Sequence, residues 1–171
     1  MTSLDLLVKQ LSRLPGLGRK SATRMAYHIL ESDGTYARDL ADLIGNIKER
    51  IRPCSVCGRF TENDPCSVCS DSRRDSSMIC VVETAQDVEV MEHARVFPGV
   101  YHVLGGVISP LDGVGPGDIR LAELLERVKA AGECEVVLAT NPTVEGDTTA
   151  LFIAHQLEGQ DGVKVTRLAL G

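Results

Sequence analysis

No stretch of the sequence approaches the roughly 20 consecutive apolar residues that a helix needs to cross a bilayer, so a membrane-spanning segment is not expected. The N-terminus, Met-Thr-Ser-Leu-Asp, lacks a basic segment followed by an apolar one, and so shows no secretory signal. Internal repeats and low-complexity tracts are missing as well. A cytoplasmic location is therefore expected. What remains is the composition of an ordinary globular protein, 43% hydrophobic and 25% charged. Its 171 residues suffice for one full core plus one or two small appended modules.

A net charge of −6 argues against nucleic acid only until it is divided along the chain. Residues 1–53 hold nine Lys/Arg against six Asp/Glu, whereas residues 54–171 hold nine against eighteen. Positive charge is thus segregated to the N-terminal third. Lys9, Arg13, Arg19, Lys20 and Arg24 follow one another with no acid between them, an electrostatic footprint for a phosphate backbone. A solvated helix face would carry the same charges.

Leu4, Leu7, Val8, Leu11 and Leu14 recur at helical period until Pro15 stops them, and Ala22, Met25, Ala26, Ile29 and Leu30 resume the pattern after a turn. A third helix is expected after Asp33-Gly34, with Leu40, Leu43, Ile44, Ile47 and Ile51 on one face and its end at Pro53. The turn between the first two helices reads Pro15-Gly16-Leu17-Gly18-Arg19-Lys20. Gly16 and Gly18 allow it to be tight enough for backbone amides to point outward at the start of the second helix, where the dipole also favours an anion. Lys20 and Arg24, four residues apart, fall on one face beside it. These residues point to a DNA phosphate site that reads no sequence; the bland alternative is a plain glycine hairpin with solvated charges.

Residues 54–75 are poor in large apolar side chains and rich in Cys, Ser, Asp and Arg, so they cannot build a core and need another constraint. Cys54-x-x-Cys57 and Cys66-x-x-Cys69 supply one, as two knuckles spaced to surround a single Zn²⁺ tetrahedrally. Four protein ligands leave no open position for water, so this zinc, one per chain, is structural and not catalytic. A redox dithiol pair is the rival reading. Cys80 and Cys134 fall in or beside apolar strands and read as inert core thiols.

From residue 76 strands and helices alternate, which predicts a mainly parallel sheet. Strands are expected at 78–82, 101–104, 135–140 and 163–168. Helices are expected after Thr84, which with Asp87 resembles a capping box, around Ile119, Leu124, Leu125 and Val128, and over 148–157. Glu83 ends the first strand, and the segment Asn141-Pro-Thr-Val-Glu-Gly-Asp147 reads as a loop after the third. Ligands of open parallel sheets bind at such strand ends. Glu83, Glu145 and Asp147 there offer hard oxygen ligands for a cation such as Mg²⁺, and read equally well as solvated loop carboxylates. The four histidines show no ligand spacing.

The helical hairpin, the four-cysteine knuckle and the Val-Val-Glu strand followed by Ala-Thr-Asn-Pro-Thr-Val-Glu-Gly, in this order, resemble the bacterial recombination mediator family RecR over essentially the whole chain. The resemblance implies an α+β multi-module fold: a helix-hairpin-helix over 1–53, a zinc finger over 54–75 and a Toprim-like α/β domain over 76–171. It implies a DNA-binding, nucleoid-associated dimer or four-membered ring that acts with RecO and RecF to load RecA onto single-stranded DNA, using its Toprim face for RecO. The family pattern runs on through a Gly-Gly-Asp-Leu-Glu-Tyr segment and a closing helix that hold neighbouring subunits, whereas this sequence stops at Gly171. Catalytic Toprim enzymes pair a glutamate with Asp-x-Asp to hold Mg²⁺. Glu83 fits the first, but Asn141 and Thr143 stand where the two aspartates are expected, and no tyrosine has a nucleophile's context. Mg²⁺ binding should then be weak, and a scaffold is favoured over a metal-dependent nuclease or topoisomerase-like enzyme.

Overall fold

The computed structural model of the chain describes residues 1–168, so the last three residues of the sequence lie outside the described part. Two compact units are present, Met1–Arg50 and the chain from Ile51 onward.

In the first unit, helix α1 (Ser3–Leu11) opens on a reciprocal capping box. Thr2 N donates to the Asp5 carboxylate at 2.8 Å, and Asp5 N donates to Thr2 Oγ1 at 3.1 Å. The apolar period carries this helix to Leu14, but it ends at Leu11. The Ser12 hydroxyl donates back to the Lys9 carbonyl at 2.9 Å, and Leu14 is left 52% exposed in the turn. Helix α2 (Arg19–Glu31) packs on α1 with Ala22 and Ala26 fully buried, small side chains that let the two backbones approach closely. Met25 and Leu30, expected inward, stay exposed. Helix α3 (Gly34–Arg50) ends three residues before Pro53, and its apolar stripe is not covered: Leu43, Ile44 and Ile47 are 62%, 65% and 51% exposed. Two short helices meeting through alanines offer little apolar surface to cover a third.

The second unit begins with a ribbon of β1 (Arg52–Pro53) and β2 (Phe60–Thr61), antiparallel and too short for periodicity to register. There follow β3 (Asp75–Val82), α4 (Ala85–Ala94), β4 (Gly99–Val103), α5 (Leu121–Ala131), β5 (Cys134–Leu138), α6 (Val144–Leu157) and β6 (Val163–Arg167). The four longer strands form one parallel sheet in the order β4-β3-β5-β6. Strand alternation sends Ile79 and Val81 into a core shared with α5 and α6. Cys80 and Val82 face the opposite way, into a second core shared with α4. The chain leaves β3 toward β4 and then returns to β5 on the other side, so the sheet switches direction between β3 and β5, at whose C-terminal ends Glu83 and Asn141 lie.

The last helix also departs from expectation. Helix α6 starts at Val144, four residues before Thr148, because Thr143 caps it by accepting from Gly146 N at 3.0 Å; Glu145 and Asp147 therefore stand in a helical turn and not in a loop. The cysteine segment, unable to build a core by itself, borrows one: Cys54, Cys57, Cys66 and Val68 are buried together with Val82, Val88, Tyr101 and Val103.

Candidate nucleic-acid interface and metal centre

At the hairpin, Gly16 adopts φ +78°, a left-handed conformation that side chains rarely tolerate, and this reverses the chain between α1 and α2. Gly18 is the N-cap of α2 in extended conformation and offers no side chain to cap it. The first intrahelical bond runs from Ala22 N to Gly18 O at 3.0 Å. The amides of Arg19, Lys20 and Ser21 thus have no intrahelical partner, and no acid occupies the first turn to neutralise the dipole. Lys9, Arg13, Arg19, Lys20 and Arg24 are all exposed, and among the described residues none of them forms an ion pair. Free amides, an open approach and unpaired cations are together what a phosphate oxygen requires.

The four cysteines come together as the spacing predicts. One sulfur from each of Cys54, Cys57, Cys66 and Cys69 lies within 4.8 Å of all the others, the only such group of three or more ligating side chains among the described residues. Cys57 and Cys66 sulfurs are 3.6 Å apart, near the separation of about 3.8 Å that tetrahedral Zn–S bonds impose. Cys66 N donates to Cys54 Sγ at 3.3 Å, the second-sphere bond that orients a thiolate. A hydrogen bond from Cys69 pulls the Cys57 thiol down to about 5, and the same contact pushes Cys69 up. Four sulfurs this close, three of them in buried residues, can all be thiolates only around a cation, and the donor set fits Zn²⁺. The site is welded to the sheet. Val103 N donates to Cys57 O at 2.7 Å, tying the knuckle to the outer edge of β4 at its end, and Arg59 pairs with Glu89 of α4 at 2.7 Å. Burial pushes the core thiol Cys80 up to about 12, in keeping with an inert role.

The acidic residues at the strand ends do not assemble. Glu83 is buried, and its carboxylate accepts from Asn141 N at 2.7 Å and Asn141 Nδ2 at 2.8 Å. A Cβ on Gly146 would fall 2.8 Å from Glu83 Oε1, so little room is left beside it. Asp147 pairs with Arg167 of β6, and Glu145 forms no ion pair among the described residues. Sequence reasoning found Glu83 but not its lock, because an asparagine reads as a missing ligand and not as a donor. It also missed Arg120, whose guanidinium reaches the first cysteine knuckle from the start of α5 and which no motif marks.

Three family descriptions match the chain in succession: the RecR helix-hairpin-helix over residues 4–48, the RecR zinc finger domain of four cysteines over 51–71 and the Toprim domain over 77–169. Among similar proteins, the recombination protein RecR of Treponema denticola is 46% identical over 171 residues, which is 100% of this chain and 87% of that protein. RecR of Acidothermus cellulolyticus is 48% identical over 96% of this chain and 82% of its own length. RecR of Moorella thermoacetica is 50% identical over 98% of this chain and 84% of its own length.

Proposed function

This chain belongs to the RecR family of recombination proteins, and from that premise we propose that it is a scaffold of recombinational repair that grips DNA without cutting it. The observation that carries this reading is the hairpin, where the free amides that open α2 lie beside the unpaired charges of Lys20 and Arg24. Gly16, Gly18, Arg19, Lys20 and Arg24 then hold phosphates, and Cys54, Cys57, Cys66 and Cys69 hold one structural zinc. The modules divide near residues 53 and 75.

The absence of catalysis follows from the strand ends. Phosphoryl chemistry at a Toprim site needs several carboxylates converging on Mg²⁺. Here Glu83 commits both oxygens to Asn141, and Asp147 is neutralised by Arg167. Any Mg²⁺ held there is weak, and Glu145 and Asp147 serve as a partner-binding face above the buried Glu83.

The protein works at the nucleoid with RecO and RecF to load RecA onto single-stranded DNA, and it does so as a homo-oligomer, a dimer or a ring. Two considerations support the oligomer. The uncovered stripe of Leu43, Ile44 and Ile47 on α3 is unfavourable to leave in water. A hairpin that meets about two to four phosphates also binds too weakly unless several copies act together.

The test is one zinc-loaded sample assayed for both activities with Mg²⁺ and Mn²⁺. Binding to unrelated DNA sequences without cleavage is expected. Metal-dependent nicking that co-purifies with the protein and disappears in Glu83→Gln overturns the scaffold and establishes a Toprim nuclease.

A further inference from the structure

Arg120 has no part in the function proposed above, yet it is held on every side. Its backbone N donates to Leu104 O at 2.8 Å, and its carbonyl accepts from His102 Nε2 at 2.8 Å, so its main chain is fixed to the end of β4. The guanidinium leaves the sheet and enters the first cysteine knuckle. Nη1 lies 3.4 Å from Cys54 O and Nη2 lies 3.5 Å from Ser55 O. A Cβ on Gly58 would collide with Nη1, so only glycine, here at φ +80°, leaves the guanidinium its place.

These hydrogen bonds are long for a half-buried cation, and Nε itself is buried with no hydrogen-bond partner among the described residues. Glu123, 3.5 Å away, is the one acid paired with it among the described residues. A dication in four thiolates leaves a net charge of about −2 in a buried site, which is unfavourable unless positive charge lies beside it.

We propose that Arg120 is the counter-cation of the tetrathiolate centre, and that zinc occupancy, acting through Arg120 and the knuckle backbone, fixes the end of β4 against the strand that carries Glu83. The path is continuous. Val103 N bonds to Cys57 O at 2.7 Å, Leu104 N to Val82 O at 2.9 Å and Gly105 N to Glu83 O at 2.9 Å. A loosened knuckle frees β4 at the edge of the sheet, and with it the last rungs beside Glu83. The inference concerns metal and sheet alone and stands whether or not the hairpin binds DNA.

The experiment compares the full chain, zinc-loaded, as wild type, Arg120→Gln and Arg120→Lys. Glutamine keeps a donor without charge, and lysine keeps the charge without the fork. Zinc release to an excess of a chromophoric chelator is timed, and exchange of the amides of Val103, Leu104 and Gly105 is followed before and after zinc is stripped. Release about 10- to 100-fold faster is expected for Arg120→Gln, the range for loss of an outer-sphere partner, with Arg120→Lys close to wild type. Stripped wild type should lose protection at the three amides while α2 does not change. Release from Arg120→Gln at the wild-type rate, or from Arg120→Lys as fast as from Arg120→Gln, overturns the counter-cation. Unchanged exchange at the three amides in stripped wild type, an arm that needs no variant to fold, overturns the coupling.

Discussion

Within Met1–Arg50 the only fully buried apolar residues are Ala22 and Ala26, whereas the unit from Ile51 onward buries two clusters on opposite faces of one sheet. The first unit is basic and presents its cations unpaired. The second is acidic, and six of its ten Lys/Arg are committed to ion pairs. The contrast separates two uses of sequence. One stretch gives up core and leaves charge, amides and an apolar stripe open to solvent. The other uses its residues to hold itself together, and recruits a metal site into its core to do so.

Metal removal should set the two units apart more than any other change. Binding of a structural zinc is worth on the order of 10 kcal/mol, similar to the whole net stability of about 5–15 kcal/mol of a domain. Cys66→Ser, or chelation, should therefore sharply lower the melting temperature of the sheet unit and leave amide protection in α2 unchanged. A calorimetric scan of the variant that superimposes on wild type contradicts the placement of the cysteines in the core.

Acidification should act on the same unit through His102. Burial lowers this imidazole from 6.5 to about 4, so the folded state prefers it neutral. The unfolded chain takes up the proton first. The stability contributed is complete above pH 6.5 and is lost as pH falls toward 4, about 3 kcal/mol in all. Denaturant titrations at several pH values with zinc in excess should show this loss, and His102→Gln should flatten it. An unchanged slope in the variant would mean that another group carries the acid sensitivity.

The smallest effect on folding is expected in the first unit. Ile47→Glu on the exposed α3 stripe should alter monomer stability by less than about 0.5 kcal/mol, yet weaken self-association at least about tenfold. Sedimentation at matched concentration would show the shift, and an unaltered mass distribution would mean that α3 faces no second copy.

The same contrast decides what could be read without coordinates. The cysteine pairs, the glycine turn and the Thr84/Asp87 cap are local patterns whose chemistry depends on neighbours three or four residues away, and all three stand in the structure. Strands β3 and β5 were legible because continuous apolar runs mark buried strands of parallel sheets. Helix α6 begins earlier than its pattern suggests because Pro142 disguises Thr143 as part of a loop. The fate of α3's stripe was illegible, since amphipathic spacing says that a face seeks cover and not what covers it. Contacts such as Arg120 with Cys54, 66 residues apart, or Asn141 with Glu83, 58 apart, belong to the tertiary fold and leave no periodic trace.

Whether the hairpin is what holds DNA is decided by the salt dependence of DNA affinity, measured for wild type and Lys20→Ala/Arg24→Ala at one oligomeric state. With each lost phosphate contact lowering the log–log salt slope by about one unit, the double variant should bind unrelated sequences equally weakly, with a slope flatter by about two per hairpin engaged. Zinc content and folding should be unchanged. A double variant that binds as tightly as wild type, with the same slope, would mean that DNA is held elsewhere on the molecule.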